Sequence, residues 1–173
     1  MPEDISSNPS FRESSRRKFA RSTSCRTTNP CQATEWWEAF YFQAPPFTQS
    51  KFVRCVKGVV LDVAGDIRKG SPTYGQHVAV ELTEDNHRQF FVPRGFAHGF
   101  AVLSATALLQ YKCDNFYAPQ ADGGISIKDE SLGIDWRIPV ESALLSEKDT
   151  KHAPLNDFDS PFIIEMDLYP EFK

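Results

Sequence analysis

Several side chains in this sequence are of the type that moves protons at carbon: His98, Tyr111, Lys51, Lys112 and Asp149. An imidazole or a phenol exchanges a proton, a carboxylate orients an imidazole, and an ammonium stabilises a developing oxyanion. His98 and Tyr111 both lie in residues 88–111, RQFFVPRGFAHGFAVLSATALLQY. That stretch reads as a strand, a tight turn and two further strands. Pro93 and Gly95 break the first apolar run, because proline removes a donor and glycine permits positive φ. Phe96, Phe100 and the AVL that follows return the chain to a buried sheet. One histidine among rigid aromatics is either a pocket wall or a satisfied histidine at a strand end, and the stretch alone admits both.

Other chemistries find little support. The four histidines, His77, His87, His98 and His152, never fall within three residues of one another, so no metal site and no metal cofactor are expected. There is no GxSxG, and no cysteine lies in a recognisable nucleophile setting. Cys25, Cys31, Cys55 and Cys113 form no CxxC and read as free thiols of a reducing compartment. With a net charge of −4 the chain lacks the basic stripe of a nucleic-acid binder, and Arg16, Arg17, Lys18 and Arg21 read as a solvated helix face. No apolar run approaches the roughly 20 residues of a membrane helix. MPEDISSNPS is polar and acidic, unlike a signal peptide, so a soluble cytoplasmic protein is expected.

The elements that must position these groups are strands. KFVRCVKG and VVLDVAGDI meet near Gly58, and HVAVEL alternates with Val78, Val80 and Leu82 on one face. DIRKGSPTYG and Glu84-Asp85-Asn86 are turns. RQFFV, GFAVLS and TALLQYK complete the run, which predicts an antiparallel sandwich or barrel. EWWEAFYFQ reads as a buried or edge strand. Upstream, Ser10 and Glu13 have capping-box spacing before a short helix, and residues 22–35 read as loop. The chain beyond Tyr117 is irregular and proline-interrupted.

Six segments, in order and spacing, carry a resemblance: PPFTQSKFVRCVKG, VVLDVAGDIRKGSPTYGQHVAVEL, NHRQFFVPRGFAHGFAVLS, QYKCDNFYAPQADGGI, SLGIDWRIP and LLSEKD. Together they resemble the dTDP-4-dehydrorhamnose 3,5-epimerase family, over residues 42 to 155. The resemblance implies an all-β, cupin-like antiparallel jelly roll with a few short helices and shortened N-terminal strands. It divides the chain into a diverged segment 1–41, an epimerase core 42–155 and an extension 156–173. The implied substrate is a dTDP-4-dehydro-6-deoxyhexose of dTDP-L-rhamnose biosynthesis. Its C4 ketone acidifies the C3 and C5 hydrogens, so a base, an acid on the opposite face and a cation near O4 suffice, without cofactor. A homodimer is also implied. Residue by residue, Tyr111 matches the acid, Lys51 the lysine near the ketone, and Asp149 the aspartate that orients the base. His98, Phe100, Gln43, Lys112 and Tyr117 match substrate-binding positions.

One strand departs from that pattern. Where the family reads R-G-L-H-x-Q, this chain has Glu38-Ala39-Phe40-Tyr41-Phe42-Gln43. Tyr41 therefore stands where the base should be, and Glu38 where an arginine should grip the diphosphate. A free phenol titrates at about 10, so it is a poor base near neutral pH. Three readings follow: an epimerase with impaired chemistry, a non-catalytic nucleotide-sugar-binding jelly roll, or a stretch over residues 22–41 that differs from what the ancestral gene encoded, through a shifted reading frame or exon choice.

Overall fold

A computed structural model describes residues 23–27, 37–139 and 149–170. Nine strands fall in these residues: β1 (Thr23–Thr27), β2 (Trp37–Gln43), β3 (Lys51–Lys57), β4 (Val59–Asp66), β5 (His77–Thr83), β6 (Gln89–Val92), β7 (Phe96–Val102), β8 (Leu108–Cys113) and β9 (Asp122–Ile125). One sheet has the order β1-β8-β3-β6 and the other β5-β4-β7-β2-β9. Every pairing within them is antiparallel. Helical structure here is confined to short 3-10 turns, such as Pro119–Ala121 and Glu130–Leu132. This is the expected all-β jelly roll. No helix among the described residues is long and apolar enough to cross a membrane.

Strand alternation assigns each residue to a face. Val53, Cys55 and Leu109 of the four-stranded sheet pack against Val60, Leu82 and Phe100 of the five-stranded one, and form the interior between the sheets. The outer face of the five-stranded sheet carries a second core, in which Phe40, Leu61, Val63 and Ala101 meet Trp136, Leu155 and Phe162 from the C-terminal half. The sequence offered no partner for the C-terminal run FIIEMDLYPEF. Its Phe162 is in that outer core, and Lys69 and Ile163 form a parallel bridge. The strand β2 runs through residues 41 and 42, and the outer core draws on residues from Phe40 to Phe162.

Two details differ from expectation. Residues 23–27, read as loop, form β1 along the edge of β8, with Ser24 opposite Tyr111. The free backbone edge of β8 takes a partner there, which outweighs the segment's polar composition. Val78, Val80 and Leu82 do share a face of β5, but Val78 is 58% exposed while Leu82 is fully buried, so the interior opens towards the start of β5. The helix expected after Ser10 lies outside the described residues.

The turn at residues 66–75 is built around Asp66. Its carboxylate accepts hydrogen bonds from Arg68 Nε (2.9 Å), Arg68 Nη2 (2.7 Å), Ser71 Oγ (2.6 Å) and Thr73 Oγ1 (2.7 Å). Burial alone would raise the Asp66 pKa, but the hydrogen bonds from Arg68, Ser71 and Thr73 outweigh it and hold the carboxyl far below the usual carboxylate range. Its contribution to stability is therefore complete above the unfolded value, about pH 4, and is lost as pH falls from there towards the folded value. Removing one member of so buried a pair costs about 3 kcal/mol. Asp66→Asn is expected to unfold at lower urea concentration near neutral pH, and the gap to the wild type should shrink below about pH 4. A gap that stays constant across that range would contradict this account.

Candidate active site

The site is assembled from facing strands. On β7, His98 is opposite Ala64 of β4 on one side and Tyr41 of β2 on the other, so the three share the inner face of the five-stranded sheet. Asp62 is two residues before Ala64 and opposite Phe100, on that same face. On the four-stranded sheet Lys51 is opposite Cys113, and Val53 is opposite Tyr111, which turns Lys51 and Tyr111 inward as well. The interior thus has an imidazole on one wall and a phenol on the other.

A chain of three groups crosses it. His98 Nε2 is 2.5 Å from Asp62 Oδ1, and His98 Nδ1 is 3.3 Å from Lys51 Nζ. Asp62 is fully buried and His98 is nearly so. An ammonium can only donate, so Nδ1 accepts from Lys51 and the Nε2–H is given to Asp62. The carboxylate thereby fixes both tautomer and ring plane, and Lys51 ties the two sheets together. Asp62 was not among the residues singled out from the sequence. It sits as one acid in the apolar run VVLDVAGD, and only the strand parity of Val60, Asp62 and Ala64 marks it as inward-facing.

The remaining expected residues divide into those brought to this cluster and those placed elsewhere. Tyr41 is beside His98 in register, and its ring is edge-on to His152, with centroids 5.5 Å apart. His152 directly follows the 3-10 turn Asp149–Lys151, so the chain at Asp149 returns to the neighbourhood of Tyr41. Gly124, opposite Tyr41 on β9, makes room for that imidazole, since a Cβ there would lie 2.6 Å from His152 Nε2. Phe100 is buried among the apolar side chains of the interior. Gln43 is buried and holds a loop: its Nε2 donates to Phe47 O (2.9 Å) and Phe116 O (3.3 Å), and its Oε1 accepts from Ala118 N (2.6 Å). Tyr117, in that loop, is 64% exposed, and its hydroxyl donates to Asp122 Oδ2 at 3.3 Å. Lys112 follows Tyr111 directly and so lies on the outer face of β8, exposed and opposite Phe52. It is not brought to the cluster, because consecutive strand residues point to opposite faces. Glu38 is opposite Phe100 in register.

Neither buried cysteine is set up as a nucleophile. Burial pushes the Cys113 thiol up, with Lys51 pulling less strongly the other way, and burial likewise raises Cys55.

A jelly roll whose opposed inner faces present a carboxylate-held imidazole, an ammonium and a phenol has the makings of an acid–base site of the cupin-like class. The comparisons agree with this. The family model for dTDP-4-dehydrorhamnose 3,5-epimerase matches residues 10–157, reaching further upstream than the six resembling segments. The chain is 49% identical over 119 residues to the dTDP-4-dehydrorhamnose 3,5-epimerase of Shigella flexneri, which covers 69% of this chain and 65% of that protein. It resembles the crystal structure of the Elizabethkingia anophelis dTDP-4-dehydrorhamnose 3,5-epimerase at TM-score 0.70 and 40% identity, covering 80% of this chain and 72% of the other. The Legionella pneumophila dTDP-6-deoxy-D-glucose-3,5-epimerase, solved in complex with dTDP-4-keto-L-rhamnose, aligns at TM-score 0.68 and 42% identity, over 75% and 72% of the two chains. The chain belongs to the dTDP-4-dehydrorhamnose 3,5-epimerase family. It spans less than two thirds of the Shigella protein's length.

The Asp62–His98 contact can be tested through stability. Asp62→Ala leaves a buried Nε2–H without its acceptor and is expected to lower the unfolding free energy by about 2 kcal/mol, whereas Asp62→Asn keeps an acceptor and should cost less. Urea unfolding of the two variants measures this, and equal losses would contradict the assignment.

Proposed function

We propose that this chain binds a dTDP-4-dehydro-6-deoxyhexose and exchanges protons at the carbons flanking its ketone, as an epimerase acting at C3 and C5. The observation that carries this reading is the His98 imidazole held between Asp62 and Lys51 on the wall facing Tyr111. A sugar ring between the two sheets would have His98 on one face and Tyr111 on the other. A ketone oxygen near Lys51 would have its enolate charge stabilised as the C–H bond breaks. With Lys51 turned from His98 Nδ1 to the ketone oxygen, that nitrogen is free to take the proton from one face, and the Tyr111 phenol returns one from the opposite side, which inverts the carbon. No redox cofactor or metal enters this scheme.

In this reading Tyr41 stands at the family's base position with Asp149 as that position's orienting carboxylate, and His98 supplies the basic imidazole instead. Phe100 backs the sugar site, Gln43 shapes the loop that carries Tyr117 over it, and Lys112 acts only from outside the interior. A homodimer is supported by the outer face of the four-stranded sheet, where Phe52 and Phe91 pair across strands and are 38% and 40% exposed, beside the polar Arg54, Gln110 and Lys112. A cytoplasmic location fits a dTDP-sugar substrate.

Solvent deuterium uptake at C3 or C5 of the 4-keto sugar tests the activity. Exchange is expected above background, and Tyr111→Phe or His98→Asn should lower it by ~10²–10⁴. Tyr41→His together with Glu38→Arg should raise it, by up to ~10²-fold if position 41 then regains a general base. Tight binding of the dTDP sugar with no exchange in any of these proteins would favour the non-catalytic binding role instead.

A further inference from the structure

We infer that Tyr169, near the C-terminal end of the described chain, is a positioning residue for Lys51. The inference rests on Lys51 having the role proposed above. Lys51 opens β3, and the residue before it, Ser50, is 1% exposed and is held from two sides. Ser50 N donates to Asp114 Oδ1 at 2.7 Å, and Ser50 Oγ shares a hydrogen bond of 2.9 Å with the Tyr169 hydroxyl. That hydroxyl also accepts from Arg94 N at 2.9 Å. Arg94 then closes the ring of contacts. Its Nε and Nη2 are both 3.1 Å from Asp114 Oδ2, its Nη1 donates to Leu168 O at 2.7 Å, and its guanidinium lies over the Tyr169 ring at 5.0 Å.

The Arg94 and Asp114 side chains are 6% and 3% exposed, so this pair is shielded from solvent and stiff. Three separate parts of the chain converge on it: the start of β3, the turns flanking β6 and β8, and the C-terminal segment. All of them meet at the backbone from which Lys51 reaches 3.3 Å to His98. A lysine has four rotatable carbons, so its ammonium is placed only as well as its Cα is. The Tyr169 hydroxyl bonds both to Ser50 and to the backbone of the β6–β7 turn. It thus couples the lysine's strand to the turn leading into the strand of His98.

Tyr169→Phe keeps the ring over Arg94 and removes only the hydroxyl. In the exchange assay kcat is expected to fall about tenfold with KM within about twofold, since small misplacements at a reacting centre carry losses of this order. Labelling of Lys51 by an amine-selective reagent, read by mass spectrometry, should rise severalfold relative to Lys57 on the same strand. The labelling arm needs no turnover, so it tests Tyr169 even if the wild-type protein shows no exchange, an outcome that would sink the proposed activity and not this inference. Unchanged Lys51 labelling overturns the positioning role, as does a lower melting temperature with kcat unaltered.

Discussion

A carboxylate with no exposed surface in the interior of a β-sandwich is costly unless something compensates it, and Asp62 is such a group. Compensation comes from His98 across one strand pair, and His98 in turn meets Lys51 from the opposing sheet. The rest of the site follows from accommodating this chain. The two sheets must approach closely enough for an ammonium to reach an imidazole. The strands β3, β4, β7 and β8 must keep a register that turns Lys51, Asp62, His98 and Tyr111 inward together. A one-residue slip in any of them would exchange a polar group for an apolar one and leave a buried charge without a partner.

That constraint explains why the outer core and the C-terminal half matter to the site, which they meet at Tyr41. Phe40, Phe42, Leu61 and Ala97 are the outward-facing neighbours of Tyr41, Asp62 and His98, and Trp136, Leu155 and Phe162 cover them. At the other sheet, Arg94, Asp114 and Tyr169 hold the start of β3. The site lies between two supports, one apolar and one ionic, and both draw on residues beyond position 113.

Much of the framework was legible in the sequence, because strand alternation from Lys51 to Cys113 is strong and glycines and prolines mark its turns. Lys51, His98 and Tyr111 stand out in the sequence, each next to a recognisable motif, and their strands turn all three inward. Asp62 was not, because its partner is 36 residues away and a single acid in an apolar run gives no local signal. Tyr169 escaped for the same reason, its contacts being 75 and 119 residues distant. Strand parity alone sets Lys112 apart from Tyr111, because consecutive strand residues face opposite sides. The strand β1 was missed because its pairing is a backbone matter, and a polar edge strand has no hydrophobic pattern to betray it.

The family relationship and the altered β2 pull in different directions, and the geometry offers a way to reconcile them. Tyr41 and His98 are neighbours in register, so beside the position where the resemblance implies an imidazole this chain has one on the adjacent strand, held by a carboxylate. The most direct test is a crystal structure with a dTDP-linked 6-deoxyhexose bound. The hexose ring should lie between His98 and Tyr111 with its C4 oxygen towards Lys51 Nζ. A sugar seated outside the two sheets, or held without contact to His98, would contradict the account.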